Sequence, residues 1–255
     1  MQTEFDKIYI ISLITNKDRQ EFIKYQMNEL GLDFEFVYGV DFKSLTNDAI
    51  NIPIIYPEMY DNGTCKEAGT YGCAITHYQA VLQAYEFEYN NVLIIEDDVC
   101  FIKNKNLIEE YLNNIPKDAD FINFDPRFLL EEEHNNLIDE IKNNNDNYLK
   151  ISDNYQKMCG GMMYGLMNRN TIKLYLDNQR KNLHTADRVL GLWKFPKVKR
   201  YISLKCICSD QFNISSNFDI NMHVSYRNIY NEINKINIED FYKPKEYHIF
   251  SREYN

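Results

Sequence analysis

The sequence lacks the features that would place the chain in a membrane or on a nucleic acid. No apolar run approaches the roughly 20 residues that a membrane-spanning helix requires. Basic residues are the minority, because 28 Lys and Arg stand against 38 Asp and Glu and give a formal net charge of −10. Nucleic acids and anionic membranes bind basic surfaces, so the composition argues against both partners.

The cysteines and histidines are too few or too widely spaced for a zinc ribbon, a small disulfide scaffold or a phosphohydrolase with two metal ions. The six cysteines lie mainly within apolar patterns, and the only close pair is Cys206 and Cys208. This spacing fits neither a zinc ribbon nor a small disulfide scaffold, and it favours reduced structural thiols. The five histidines include no closely spaced pair. A phosphohydrolase with two metal ions would need more His or Asp ligands, so that function is a weak alternative.

The N-terminal segment MQTEFDKIYIISL has acids before a short apolar run and no small-residue cleavage site. Its pattern favours a first strand over a signal peptide, and we expect a soluble, cytoplasmic protein. With 255 residues and 44% hydrophobic content, the chain is long enough for one large α/β domain or two small ones. No internal repeat or linker is present, so we predict one domain over residues 1–255.

Strands and helices alternate in the first half of the chain. Apolar patterns predict strands at Lys7–Leu13 and Phe34–Asp41, with a helix between them that ends at Gly31. Strand, helix and strand within about 35 residues form a βαβ unit, so we expect a parallel sheet with ligands at the carboxyl ends of its strands. The pattern then predicts a helix at Thr70–Tyr89 and a buried strand at Val92–Ile95.

The second half has weaker signals. Ala119–Phe124 is typical of a strand and is followed by Asp125, and Cys159–Met167 is typical of a strand with a close-approach glycine pair. A helix is predicted after it, from Arg169. Residues 131–147 are rich in Asn and acids, which predicts an exposed loop or a polar helix.

Three consecutive acids, Glu96, Asp97 and Asp98, follow the Val92 strand. A single acid in this position is commonly a solvated turn residue or a helix N-cap. Three in succession repel one another unless a cation is close. Carboxylate oxygens at the end of a parallel strand suit Mg²⁺ or Mn²⁺, with phosphate and water as the remaining ligands. The pattern therefore predicts a divalent metal site.

The segments GTYGCAITHYQAV and IIEDDV resemble glycosyltransferase family 25, the lipopolysaccharide-biosynthesis and collagen-galactosyltransferase group. The first segment carries Gly69, Gly72, Cys73 and His77, and it has Thr76 where the family usually has Ser. The second carries the Glu-Asp-Asp strand end.

Other segments extend this similarity to roughly residues 7–220, which leaves 221–255 as a C-terminal extension. IYIISLITNKDRQEFI is similar to the family's opening motif, with Ser12 where Asn is usual, and FVYGVD is similar to its second strand. GGMMYGLMNRNTIKLYL, TADRVL and ICSDQFNISSNFDI are looser matches, the last with Phe218 in the place of Ser.

The resemblance implies a GT-A nucleotide-diphospho-sugar transferase fold, a Rossmann-like, mostly parallel sheet with helices on both faces. It also implies a hexosyltransferase that uses Mn²⁺ or Mg²⁺ and a UDP-sugar, UDP-galactose or UDP-glucose, and inverts the anomeric carbon. The acceptor would be a glycan or a hydroxylysine-type protein hydroxyl. A catalytically silent nucleotide-sugar-binding protein of the same fold is the alternative, although such a protein would be expected to have lost the acids.

The expected donor and metal residues follow from the resemblance and from strand geometry. Asp98 is the first-choice metal ligand. Glu96 is expected on the same side, on the donor ribose or a metal-bound water, and Asp97 on the opposite side in a supporting role, provided that the strand continues through the acids. The remaining donor-binding candidates are Ser12, Arg19, Asp41, Gly72 and His77, with Glu96 and Asp97, and the metal set is Asp98, Glu96 and His223.

Inverting transfer needs a general base for the acceptor hydroxyl. Asp187 opens a helical pattern in TADRVL and is the first candidate, although it could instead be an N-cap or an ion-pair partner of Arg188. Asp125 is the alternate base. Gln211, like His223, lies where a late loop could return to the metal.

Overall fold

The computed structural model describes residues 1, 3–39, 68–125, 127–128, 143–144, 146–151, 158–159, 163–181, 198–205, 207–210 and 240–243. Its helices are α1 (Lys17–Leu30), α2 (Ala68–Glu86), α3 (Lys105–Asn113) and α4 (Arg169–Lys181). Its strands are β1 (Lys7–Leu13), β2 (Glu35–Gly39), β3 (Val92–Glu96), β4 (Val99–Phe101), β5 (Phe121–Asn123), β6 (Arg127–Phe128), β7 (Tyr148–Ile151), β8 (Met158–Cys159), β9 (Met163–Leu166), β10 (Arg200–Ser203) and β11 (Cys208–Asp210).

Seven of these strands form the central sheet, in the order β2-β1-β3-β9-β5-β10-β7. The predicted α/β fold class is confirmed, and the first βαβ unit is parallel as expected, with Ile11 opposite Val37. The sheet as a whole is mixed, because β9 runs antiparallel to both of its neighbours and β7 antiparallel to β10. Two small antiparallel pairs, β4 with β11 and β6 with β8, complete the described strands.

Helices cover both faces of the sheet, also as predicted. Alternate residues of β1 point to opposite faces, so Ile8 and Ile10 join one buried cluster and Tyr9 and Ile11 join the other. The first cluster packs against α1 and α3, and the second against α2 and α4. Since β1 and β3 are covered on both sides, they are continuous apolar runs rather than alternating ones.

The first helix ends where the sequence predicts. Gly31 adopts the left-handed conformation, with φ of 68°, and its N–H donates to Asn28 O. Only glycine takes this conformation without a steric cost, so the chain leaves the helix here and turns into β2.

The strand predicted at Val92–Ile95 is confirmed as β3, which ends at Glu96. The assumption that the strand continues through the acids is wrong, because Asp97 and Asp98 form a turn that leads into β4. In the segment 159–167, predicted as one strand, the structure describes the end of β8 and all of β9, and residues 160–162 lie outside the described residues. Among the helices that the structure describes, none combines the length and the hydropathy of a membrane-spanning segment.

Candidate functional site

The site residues meet at the carboxyl edge of β1 and β3. These parallel neighbours align Ile11 with Glu96, and the N–H of Asp97 donates to Ile11 O at 3.0 Å, which continues the pairing by one residue. A short connection then places the first turn of α1 over the same edge. Ser12 on β1, Asn16 before α1 and Arg19 in its first turn all contact Asp97, and Arg19 also contacts Asp98.

Asp97 is the buried centre of this arrangement, with 5% of its surface exposed. Its Oδ2 accepts from Ser12 Oγ at 2.7 Å and from Asn16 Nδ2 at 3.4 Å, and its Oδ1 accepts from Arg19 Nη1 at 3.2 Å. Burial raises the pKa of Asp97, and Arg19, Ser12 and Asn16 oppose that rise. These contacts suit a residue that holds its neighbours in place.

Arg19 joins Asp97 to Asp98. The same Nη1 atom lies 3.3 Å from Asp98 Oδ2, and the Asp98 side chain is 26% exposed. Burial would lower the pKa of Arg19, but the charges of Asp98 and Asp97 outweigh it and raise that pKa. The guanidinium therefore stays charged and supplies a cation to two of the three acids.

This geometry corrects the expected division of the acids. Glu96 and Asp98 were expected to share a side, with Asp97 opposite. Instead, Asp97 and Asp98 share Arg19, while Glu96 contacts residues of α2. The expectation was wrong because strand alternation stops at Glu96, where the turn begins. Arg19 already neutralises part of the charge of Asp97 and Asp98, so repulsion among the acids is weaker evidence for a metal ion than the sequence indicates.

His77 connects Glu96 to the sheet interior. The buried imidazole places Nε2 3.2 Å from Glu96 Oε1 and Nδ1 2.8 Å from the Tyr164 hydroxyl. The two rings are stacked, with centroids 5.7 Å apart. Burial and a hydrogen bond with Tyr175 raise the pKa of Tyr164 well above its ordinary value, so this hydroxyl stays protonated. His77 is thus a fixed link between an acid at the edge and the core.

Cys73 completes a three-residue cluster with His77 and Glu96. Its Sγ lies 3.9 Å from Glu96 Oε1, and one potential ligand atom from each residue lies within 4.8 Å of the others. From its apolar surroundings in the sequence, Cys73 is expected to be a reduced structural thiol. The signal that could have identified it is its spacing from His77, since residues four apart on a helix lie on one face.

Tyr164 and Asn16 were not predicted as site residues at all. Tyr164 lies on β9, which is inserted antiparallel beside β3, and the sequence gives no local signal for that pairing. Gly72, a predicted donor contact, is buried at the start of α2, where its carbonyl accepts from Thr76 Oγ1 at 2.7 Å. Thr76 in turn lies against Gly39 at the end of β2, so a Cβ at that glycine would come within 2.3 Å of its Oγ1.

Asp125 lies on the same edge of the sheet as Glu96. It follows β5, which is parallel to β3 because both run antiparallel to β9. Two strand spacings separate the ends of β3 and β5, or roughly 10 Å. The other predicted residues, Asp41, Asp187, Gln211 and His223, lie outside the described residues, so their roles stay predictions.

Comparison with known proteins gives short but consistent similarities. The human protein procollagen galactosyltransferase 2 is 31% identical over 102 residues, which is 38% of this chain and 16% of that protein. A glycosyltransferase 25 family member of Drosophila pseudoobscura pseudoobscura is 30% identical over 100 residues, with the same shares covered. The matched segment thus spans less than a fifth of the length of these relatives.

Among solved structures, a glycosyltransferase involved in glycosylation of the major capsid of PBCV-1 aligns over 90% of this chain and 100% of its own, with 8% identity and a TM-score of 0.39. The model of glycosyltransferase family 25, described as an LPS biosynthesis protein family, matches residues 5–187, which contain every described candidate residue of the site. This chain therefore belongs to glycosyltransferase family 25.

Proposed function

We propose that this chain transfers a hexose, galactose or glucose, from a UDP-sugar to a hydroxyl of a glycan or protein acceptor, with inversion at the anomeric carbon and a GT-A mode of donor binding. The observation that carries the proposal is the cluster of Arg19, Asp97, Asp98 and Glu96 at the carboxyl edge of β1 and β3. Open α/β sheets bind nucleotides at this edge. Family membership supports the same class of reaction.

The side chains at this edge are of the chemical type that binds divalent cations. Asp98 and Glu96 have side chains that are 26% and 29% exposed, so both carboxylates are reached from solvent, and oxygen ligands suit Mn²⁺ or Mg²⁺. Asp98 is the proposed metal ligand, and its carboxylate would then contact both the cation and Arg19. A bound cation would neutralise the charge that develops on the diphosphate as it leaves.

Arg19 and Asp97 have a different role in this proposal. Asp97 is buried and accepts from three side chains, so it fixes the position of Arg19 rather than meeting the donor. Arginine carries five N–H groups, and among the described residues the contacts of Arg19 with Asp97 and Asp98 both go through Nη1, so the guanidinium offers further donors to a phosphate oxygen. We propose that it binds the diphosphate of the donor.

The transfer step is a single displacement. The acceptor hydroxyl oxygen attacks the anomeric carbon, the bond from that carbon to the diphosphate oxygen breaks, and the electron pair leaves with UDP. A carboxylate takes the hydroxyl proton on the face opposite the leaving group. Asp187 is the proposed base, and Asp125 is the alternate, since it lies at the same edge as Glu96.

The test is a panel of UDP-sugars, scored for UDP release and for thermal stabilisation with and without Mn²⁺. We expect one sugar nucleotide to stabilise the protein when Mn²⁺ is present. Asp98→Ala should lose this stabilisation and keep its fold, because Arg19 retains Asp97 as a partner. The matched control is Asp18→Ala, which changes an exposed acid beside Arg19 on α1.

Asp187→Asn should bind donor normally and lose transfer, since the change removes a base rather than a donor contact. If Asp187→Asn retained transfer, Asp125 would replace Asp187 as the proposed base. Normal Mn²⁺-dependent turnover in Asp98→Ala would overturn the metal assignment, and no response to any donor would overturn the proposed function.

A further inference from the structure

We propose that Cys73, His77 and Glu96 form a second kind of metal site, one that binds Zn²⁺ or a similar borderline-soft ion through a thiolate, an imidazole nitrogen and a carboxylate. The three residues lie on two rigid elements, with Cys73 and His77 on α2 and Glu96 at the end of β3. This site shares Glu96 with the edge proposed for Mn²⁺ but differs from it by its thiolate and imidazole ligands, and it does not depend on the proposed transfer reaction.

The distances suit a zinc centre. Zinc bonds of about 2.0–2.3 Å in a tetrahedron place neighbouring ligand atoms roughly 3.5 Å apart. Here His77 Nε2 lies 3.2 Å from Glu96 Oε1, and Cys73 Sγ lies 3.9 Å from that same oxygen. One ligand atom from each of the three residues lies within 4.8 Å of the others, so small rotations of the Cys73 and Glu96 side chains would bring all three within bonding distance of one ion.

Tyr164 fixes the orientation of His77, as the partners of metal-binding histidines do. Histidines that bind metals almost always give their other ring nitrogen to a fixed partner, which sets the tautomer and the orientation of the ring. The Tyr164 hydroxyl lies 2.8 Å from His77 Nδ1, and both residues are buried. The stacked rings hold Nε2 towards Glu96 and Cys73.

Charge and exposure favour the same ion. A divalent cation with one thiolate and one carboxylate is neutral overall, which a largely buried position tolerates better than a net charge. Cys73 would release its thiol proton to solvent on binding. The Glu96 side chain is 29% exposed, so the cluster is open on that side to a fourth ligand such as water. Sulfur and imidazole ligands select Zn²⁺ or Co²⁺ over Mg²⁺ and Mn²⁺.

The test uses Co²⁺, which occupies zinc sites and reports its ligands by absorption. Titration of the reduced protein with Co²⁺ should give a thiolate-to-metal band in the near ultraviolet and visible bands typical of tetrahedral coordination. Zn²⁺ should displace both, and Mg²⁺ should not. No nucleotide sugar is needed, so a failed transfer assay leaves this result unaffected.

Two variants test the ligands Cys73 and Glu96, and a third tests Tyr164, which positions the ligand His77. Cys73→Ser should abolish the near-ultraviolet band, and Glu96→Gln should weaken Co²⁺ binding at least about tenfold. Tyr164→Phe should weaken it about tenfold through His77. The matched control is Cys100→Ala, which changes a buried thiol on β4 outside the cluster and should leave the bands unchanged.

Far-ultraviolet circular dichroism and thermal unfolding of each variant show whether it is folded. A wild-type protein that gives no thiolate band overturns the proposal. So does a band that persists in folded Cys73→Ser, since another cysteine would then be the ligand.

Discussion

At the scale of single residues, one arginine explains how adjacent acids coexist at the end of a buried strand. Asp97 is held by Ser12, Asn16 and Arg19, and Asp98 shares the Arg19 Nη1 atom. Adjacent carboxylates repel one another, and the charge of Arg19, a residue 78 positions before Asp97 in the chain, offsets that repulsion. No local pattern in the sequence reveals that partner.

Arg19→Met tests this account. The change leaves the buried Asp97 carboxylate without its cation, so we expect the free energy of unfolding to fall by about 2 kcal/mol. Urea unfolding followed by circular dichroism measures it. In an Asp97→Asn background, Arg19→Met should lower the free energy of unfolding by clearly less, because the negative charge that Arg19 neutralises is absent. Equal costs in both backgrounds would show that Arg19 acts through packing instead.

At the scale of elements, the side chain of Gln26 attaches α1 to β4 through hydrogen bonds with the β4 backbone, of the kind that a neighbouring strand makes. The side chain is fully buried, its Nε2 donates to Val99 O at 3.0 Å, and its Oε1 accepts from Phe101 N at 2.7 Å. On its other side, β4 pairs with β11. One amide thus satisfies two backbone groups of β4 and holds the strand that follows the three acids.

Gln26→Ala should lower the free energy of unfolding by about 2–4 kcal/mol, because it leaves two buried backbone groups of β4 without this partner. Urea unfolding is again the measurement. Gln79→Ala is the control, since Gln79 is exposed on α2 and its loss should change stability by less than about 0.5 kcal/mol. A loss at Gln26 no larger than the control would mean that water replaces the amide.

Asp118 ties the far side of the sheet together and makes its stability depend on pH. It accepts from the Tyr201 hydroxyl at 2.7 Å and from Lys150 Nζ at 3.1 Å, and Lys199 Nζ lies 3.4 Å away. These contacts, led by that of Tyr201, lower the pKa of Asp118 to about 2. The preference for the charged form is a property of the folded state only.

The folded pKa of Asp118 lies below the value of about 3.9 expected when the chain is unfolded. Its stabilising effect is therefore complete above that value and is lost as the pH falls towards 2. The difference in urea midpoint between the wild type and Asp118→Asn should be constant from about pH 7 to 5 and shrink below pH 4. Tyr201→Phe should shift this loss to higher pH. A difference that does not change with pH would contradict the assignment.

At the scale of the whole molecule, local patterns in the sequence predict elements but not their order in the sheet. The β1-α1-β2 unit follows from periodicity and from the stop at Gly31. The antiparallel insertion of β9 between β3 and β5 does not, since it depends on pairings between residues about 40 to 70 positions apart. Helix α3 was missed although Asn104 caps it and Ile108, Tyr111 and Leu112 repeat at helical spacing.

The same limit applies to the site. Its members on β1, α1, α2 and β3 carry local signals, and the structure brings Ser12, Arg19, His77 and the acids together. Their grouping could not be predicted, because the turn at Asp97 and Asp98 interrupts the alternation that the prediction assumed. Tyr164 carries no signal of its own, since its contact with His77 exists only when β9 lies beside β3.

Tyr164 is therefore where site and fold are most closely coupled. It lies on β9 in the middle of the sheet, and its hydroxyl meets His77 of α2 and Tyr175 of α4. Tyr164→Phe keeps the ring and removes this link, so we expect the free energy of unfolding to fall by about 1–3 kcal/mol with no change in the urea m-value.

Tyr38→Phe is the control for this variant, because Tyr38 is 44% exposed and its hydroxyl removal should change stability by less than about 0.5 kcal/mol. If Tyr164→Phe matched that control, the hydroxyl would not couple α2 to α4. A loss in the expected range, shared by the circular dichroism and tyrosine fluorescence transitions, would show that removing one oxygen atom beside the site lowers the stability of the whole sheet and its two helices together.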